Sequence, residues 1–437
     1  MRRALPVLGR GALSLLIVAL ALLVSHTFTP PVVAQTTWVV DDDNPSCVGG
    51  IPDFSTITEA VLTASSGDTI RVCEGDYMEP TMSISDNSLT ITGPGATPEH
   101  DGVATVHHSG GGSSVIDIQA DYVVVQGLDL DATTYGISIS GDSISIEHNE
   151  IRNATAWAVY ASGTPGPWYV MVLSNDIHDS NEGVICHAYG CVIAGNTMNV
   201  AGGSAAEVIG NAGVITNNVV ANGKVVGYGD DLFVADNQVS GPAVGSLLDV
   251  SGNPVSVTDN TLTNITGYGM VAEPASGPTS TSVTIARNTF SQVDAPIHLY
   301  DSNPGDGATV TATIGGSASE ANTFINSGGS LGDSNYLIQM DGPTLDVNAE
   351  YNLWGLCTLA EIEQEIYHQV DDPAQGLVDF DPFIAPSGCS PVGGIAELPN
   401  IAESRGSQSS YYIALAVTAA LLALTAGAWY ARRRWLG

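Results

Sequence analysis

Three carboxylates recur at one position of a repeating unit, and they set the chemistry that the chain could perform. Asp129, Glu150 and Asp176 each follow the marker position of that unit in three consecutive repeats. Two positions beyond each stand Asp131, Arg152 and His178, and His148 lies two positions before Glu150. If the chain winds so that these positions stack, successive strands lie about 4.8 Å apart and the side chains share one patch. Stacked carboxylates raise one another's pKa, which lets a general acid and a general base coexist near neutral pH. Glu150 and Asp176 would form such a pair in a sugar-processing site, with Asp129 and His178 as further catalytic candidates. Trp157, Tyr160, Trp168 and Tyr169 lie in the stretch between Glu150 and Asp176, and their faces could carry a neutral sugar ring. The same carboxylate oxygens could hold Ca²⁺. A third reading is a solvated acidic face on which Arg152, His148 and His178 soften the repulsion. No other cofactor is implied.

Weaker clusters lie elsewhere. Asp236, Asp259 and Arg287 share the position before the repeated asparagine and read as a surface ion-pair column. Asp41, Asp42, Asp43, Asp371 and Asp372 could ligate calcium but read more simply as solvated turns. The glycine run 110–112 has no following Lys-Ser/Thr and so is a loop rather than a phosphate cradle. There is no Gly-x-Ser-x-Gly elbow and no convincing Cys/His nucleophile pair.

What must position these residues is a repeat of the form apolar-x-x-Asn-x-apolar. It occurs at 146–151, 172–177, 193–198, 215–220, 234–239, 257–262 and 285–290. The asparagines are Asn149, Asn175, Asn196, Asn218, Asn237, Asn260 and Asn288. An earlier unit carries Leu128 in place of the asparagine, and a later one contains Asn322. Short alternating strands with a period of about 22 residues, and small turn residues between them, describe one coil of a parallel β-helix. A single coil cannot bury its apolar face, whereas stacked coils share one core. Asparagine tolerates the left-handed backbone of a tight turn, and its amide can bond the amides above and below in a ladder.

These units resemble the repeats of the right-handed parallel β-helix proteins, the pectate-lyase-like superfold. The opening is similar too, in Phe54 to Val61, Gly67 to Val72 and Gly75 to Tyr77. Thr56 and Glu59 have capping-box spacing, and Ile57, Ala60, Val61 and Ala64 form one apolar stripe, so a helix is expected to plug the end of the coil. The far end resembles the closing segment of exported β-helix surface proteins: Asn352 to Gly355, a helix opened by Thr358 and Glu361, then Val378 to Pro382. Ile362, Ile366 and Val370 are expected to form the apolar face of that helix. The resemblance covers residues 38–385 and implies an all-β solenoid of about ten coils, on the order of 48 Å long, with short capping helices. The superfold hosts lyases, hydrolases, esterases, adhesins and inert stalks, so it does not assign an activity. Its lyases abstract a proton with Arg or Lys and neutralise uronates with calcium or other cations. Here the coils offer only Arg71, Arg152, Lys224 and Arg287, which disfavours cleavage of anionic polysaccharides.

The 437 residues carry 46 acidic and 11 basic groups, and six of the basic ones lie at the extreme ends. Between Asp41 and Glu403 the 46 acids face only Arg71, Arg152, Lys224 and Arg287. Such a surface repels nucleic acid, because no cationic groove can displace phosphate counterions. Residues 1–34 read as a secretory signal, with Arg2, Arg3 and Arg10 ahead of an apolar core and Ala34 at the cleavage site. The β-helix would span 35–385, a flexible stalk 386–410, a transmembrane helix 411–431 and a basic cytoplasmic tail 432–437. Leu398 to Ala402 sits where a sorting signal would, but it lacks the Thr-Gly that a sortase cleaves, so retention in the membrane is the expectation. Six cysteines in an exported chain imply disulfides, and sequence proximity suggests 47–73, 186–191 and 357–389. Together these readings describe an outward-facing, membrane-anchored β-helix. Its leading role is a non-catalytic module that binds glycans or another cell-envelope component. A glycosidase built on Glu150 and Asp176, with Trp157 or Trp168 as the sugar platform, is the rival reading, and a structural spacer is the third.

Overall fold

The computed structural model describes residues 35–389, apart from 44–46, 48–50, 97–101, 111, 164–166, 242–244, 275–279, 302–306, 329–335 and 343–345. The proposed signal, most of the stalk, the membrane span and the basic tail lie outside the described residues. Among the described residues no helix is long and apolar enough to cross a membrane.

The chain winds as a right-handed parallel β-helix, and every strand pairs in parallel with the equivalent strand of the next coil. One coil shows the plan. Val170–Leu173 is its first strand, a tight turn at Ser174 and Asn175 follows, Asp176–Ser180 is the second strand and Glu182–Cys186 the third. A corner then leads to the next first strand, Val192–Ala194. Alternation explains the choice of residues: Val170 and Val172 are fully buried while Met171 and Leu173 are half-buried. The first strands stack into a 14-stranded sheet. That is more than the asparagine count suggests, because the strands at 37–40, 69–72, 90–92 and 378–379, like the one before Leu128, belong to the stack without carrying the marker residue. In two coils the second and third strands run on as single 12-residue strands, Thr261–Ala272 and Thr289–Tyr300.

The asparagines form the expected ladder, nine rungs long from Asn149 to Asn352, and every rung is buried. In a typical rung the Asn196 Oδ1 accepts from the Asn175 N–H at 2.9 Å and from Asn175 Nδ2 at 3.0 Å. Asn196 Nδ2 in turn donates to the Val172 carbonyl at 2.9 Å and to Asn218 Oδ1 at 3.0 Å. The left-handed conformation, however, belongs to the residue before the asparagine in every rung except that of Asn322. His148, Ser174, Asn217, Asp236, Asp259 and Arg287 have φ of 54 to 60°, and Gly195 has φ of 69°. Asparagine is therefore required for its amide, which satisfies buried backbone groups at the corner, and not for the turn conformation.

Two positions after each asparagine the side chain points into the core. The residue there is Ile151, Ile177, Met198, Val220, Val239 or Leu262 in successive coils. In the last, longer coils it becomes aromatic, and Phe290, Phe324 and Trp354 stack with centroids 5.2 and 4.9 Å apart.

Both ends are capped. Helix α1, Ile57–Thr63, buries Ile57, Ala60 and Val61 against the first coil. Thr56 accepts from the Glu59 N–H as the spacing predicts, while the Ile57 and Thr58 N–H groups are taken by the buried Glu79 carboxylate at 2.6 and 3.2 Å. Helix α2, Leu359–Gln364, has the complete capping box of Thr358 and Glu361. It is shorter than its apolar spacing suggests. Ile366 leaves the helix to pair with Ile338 in the 21-stranded sheet that the second and third strands share, and Val370 is exposed. The three disulfides are Cys47–Cys73, Cys186–Cys191 and Cys357–Cys389, as sequence proximity suggests.

Candidate functional site

The carboxylate column forms in the expected register. Glu150 pairs with Asp129 on one side and Asp176 on the other, and Asp176 is followed by Thr197. Beside it Arg152 pairs with Asp131 and His178, so the second column also stands. All lie at the start of the second strands, where the αL turn at His148 and Ser174 swings the chain outward.

A network of charges ties the patch together. Arg152 grips Asp129 with two bonds of 2.9 Å, from Nε to Oδ1 and from a terminal nitrogen to Oδ2. The bonds to Asp129 raise the Arg152 pKa, and burial opposes them more weakly. His178 Nε2 lies 3.0 Å from Glu150 Oε1, and its Nδ1 lies 2.8 Å from Asp179. Burial would lower the His178 pKa, but the hydrogen bonds to Asp179 and Glu150 outweigh it and the net shift is upward. Asp131 is half-buried, which would raise its pKa. Bonds from Asn153 and His107, with the nearby Arg152, outweigh that and hold it below the usual carboxylate range.

Sequence reasoning missed part of this network. Thr105 and His107 stand one coil before Asp129 and Asp131, and Asp76 stands one coil before Thr105. His107 Nδ1 is 3.0 Å from Asp131 and Thr105 Oγ1 donates to Asp129 at 3.1 Å. No asparagine marks those coils. The signal that places them is the match of Thr105, Val106 and His107 to Asp129, Leu130 and Asp131 one coil later, polar positions flanking an apolar one.

Beside this network lies a groove of about 310 Å³, lined by Asp129, His148, Glu150, Ser174 and Asp176 together with the backbone of Gly95, Gly102 and Gly127. Glu150 and Asp176 are exposed and face it, whereas Asp129 is almost fully buried beneath Arg152. The groove offers carboxylate oxygens and an imidazole to a ligand on a surface with few cations.

The aromatic residues expected beside the carboxylates are elsewhere. Trp157 and Tyr160 belong to the third strand, Trp157–Ala161. Trp168 and Tyr169 lie at the corner between the third strand and the next first strand. The winding of the coil, invisible in the linear sequence, separates them from Glu150 and Asp176. The ion-pair column at Asp236, Asp259 and Arg287 does form, with Arg287 bonded to both Asp259 oxygens, Nε to Oδ1 at 2.8 Å and a terminal nitrogen to Oδ2 at 2.6 Å. Asp41, Asp42 and Asp43 bring carboxylate oxygens within 4.8 Å of one another, but Asp41 also accepts from the Asp43 and Cys47 N–H groups and Asp42 from Asp76. Asp371 and Asp372 accept from the backbone of their own turn.

Residues 135–324 match a family model described as right handed beta helix region. The match falls within the right-handed parallel β-helix described above. No curated protein sequence matches the chain. Among solved structures, the catalytic unit of a GH87 alpha-1,3-glucanase from Streptomyces thermodiastaticus is 15% identical, with a TM-score of 0.46 over 77% of this chain and 66% of that one. A DFA-IIIase from Arthrobacter chlorophenolicus is 16% identical, with a TM-score of 0.39 over 78% of this chain and 90% of that one. An alginate lyase from Paenibacillus is 17% identical, with a TM-score of 0.36 over 66% of this chain and 95% of that one. Likeness at this level concerns the fold alone.

Two consequences follow for the network. Arg152→Met would leave the Asp129 carboxylate, whose side chain is 9% exposed, without its guanidinium. A loss of about 3 kcal/mol in urea unfolding is expected; a loss below about 1 kcal/mol would show that Thr105 and solvent suffice. His178 has a folded pKa above its ordinary 6.5, so its stabilising contribution is fully present below that value and fades as pH rises through the folded pKa. The melting-temperature gap between wild type and His178→Asn should therefore shrink as pH rises above 6.5. A gap that does not change with pH would contradict this.

Proposed function

We propose that this β-helix is an exported glycan-binding module whose groove at Glu150 and Asp176 receives a neutral sugar. The observation that carries the reading is the groove itself. Two exposed carboxylates from adjacent coils, with His148 beside them, line one concavity. Carboxylates accept hydrogen bonds from sugar hydroxyls, and such charge-assisted bonds are strong and directional. The charge balance favours a neutral ligand, since a surface on which acids so outnumber bases between Asp41 and Glu403 repels uronates. Three disulfides support an oxidising, extracytoplasmic location. Export by residues 1–34 and retention by residues 411–431 complete the proposal.

The groove's carboxylates are bound into a network in which Glu150 accepts from His178. That arrangement supports binding over hydrolysis. A glycosidase reading keeps one specific support, the placement of Glu150 and Asp176 directly opposite each other on neighbouring strands. The full-length protein is expected to retain neutral glycans on an array of neutral and acidic glycans. Retention should fall in the double variant Glu150→Gln, Asp176→Asn; retention of acidic glycans alone would contradict the proposal.

A further inference from the structure

A second polar ladder runs in two stretches along the corner between the third strands and the next first strands. There the Asp121 N–H donates to Asn87 Oδ1 at 2.9 Å, the Asp142 N–H to Asp121 Oδ1 at 2.9 Å and the Trp168 N–H to Asp142 Oδ1 at 2.8 Å. Further along, the Asp230 N–H donates to Asn211 Oδ1 at 3.0 Å and the Asn253 N–H to Asp230 Oδ1 at 2.8 Å. Between these two runs the Asx position is taken by Trp168 and then by Tyr189, which bridge each other in parallel. Two successive coils thus give up a stabilising side chain for an aromatic one.

The aromatic side chains turn outward. Trp168, Tyr169 and Tyr189 are 47, 38 and 44% exposed, with ring centroids 5.3 to 6.5 Å apart. Tyr169 also holds φ of 59°, a conformation that bulky side chains rarely adopt. In the next coil the equivalent residue is Gly190, where an added Cβ would lie 2.8 Å from the Tyr169 ring. Nothing in coil packing asks for three exposed rings at this corner.

We infer that Trp168, Tyr169 and Tyr189 form a stacking platform for a neutral pyranose, a glycan site separate from the groove. The C–H face of a sugar packs on such rings while flanking polar groups bond its hydroxyls, and here Asp142 and Asn211 flank the rings along the ladder. Charge favours a neutral ligand. Arg152, Lys224 and Arg287 are engaged with Asp129, Asp249 and Asp259, and Arg71 lies four strands back in the first sheet.

The test applies the full-length protein to an array of neutral and acidic glycans, beside the variants Trp168→Ala and Tyr189→Ser and the groove variant Glu150→Gln, Asp176→Asn. Circular dichroism melts confirm that each variant is folded. The platform predicts a subset of neutral-glycan signals, distinct from those the groove supports, that falls at least tenfold in both ring variants and persists in the groove variant. Signals lost only in the groove variant would overturn the platform and leave the groove reading standing. Absence of neutral-glycan binding overturns the platform, as does concentration-dependent self-association that Trp168→Ala abolishes. Quenching of tryptophan fluorescence by a bound neutral oligosaccharide, absent in Trp168→Ala, is a second readout.

Discussion

Replacing Asn196 by leucine is expected to destabilise the protein by on the order of 4 kcal/mol, more than any surface substitution. The side chain fits the space, since Leu128 occupies the equivalent site at the start of the series and is itself buried. What is lost is bonding. The Asn175 N–H and Asn175 Nδ2 would lose their acceptor, the Val172 carbonyl its donor, and Asn218 Oδ1 one of its two partners. Each buried polar group left unpaired costs about 1–3 kcal/mol. The same change at Asn149 should cost less, because its Oδ1 accepts only from the Leu128 N–H on that side, with no amide beyond it. Urea unfolding of the two variants gives the comparison. Equal losses would mean that the ladder acts rung by rung through volume and not through its bonds.

The second large effect concerns the groove. Converting both Glu150 and Asp176 to their amides keeps the shape of the groove and removes two charged acceptors. A hydrogen bond to a charged group contributes about 1.5–3 kcal/mol, so neutral-glycan affinity should fall roughly 10- to 100-fold. Glu150 also supports His178 at 3.0 Å, so the single Glu150→Gln variant should disturb binding more than Asp176→Asn. Titration calorimetry with a glycan found on the array decides. Unchanged affinity in the double variant would place the ligand elsewhere on the molecule.

The repeated asparagine made the winding legible, because only a stacked coil keeps one buried amide at the same point of every turn. Once the period was known, the pairing of Asp129, Glu150 and Asp176 followed from counting, as did Arg152 beside His178. Four features were not legible. His107 and Thr105 join the network from a coil without the marker, so counting from asparagine stopped short of them. Trp168 lies close to Glu150 in sequence, but each coil turns three corners, and proximity along the chain does not give proximity across it. The end of α2 was set by tertiary pairing: Ile366 has the spacing of a helical stripe, yet the free edge of the strand Ile338–Asp341 draws it into the sheet. The left-handed residue was misplaced by one position for a related reason. The sequence pattern shows where asparagine recurs, whereas the residue in the turn varies from His148 to Arg287 and leaves no pattern.

The most direct measurement incubates the full-length protein with insoluble neutral polysaccharides and follows, in the same samples, depletion of protein from solution and release of reducing ends. A non-catalytic glycan-binding β-helix predicts depletion by at least one neutral polysaccharide, weakened in the double variant Glu150→Gln, Asp176→Asn, with no reducing ends released. Release of reducing ends that stops in that variant would instead make the groove a glycosidase site, and depletion by none of the polysaccharides would contradict glycan binding altogether.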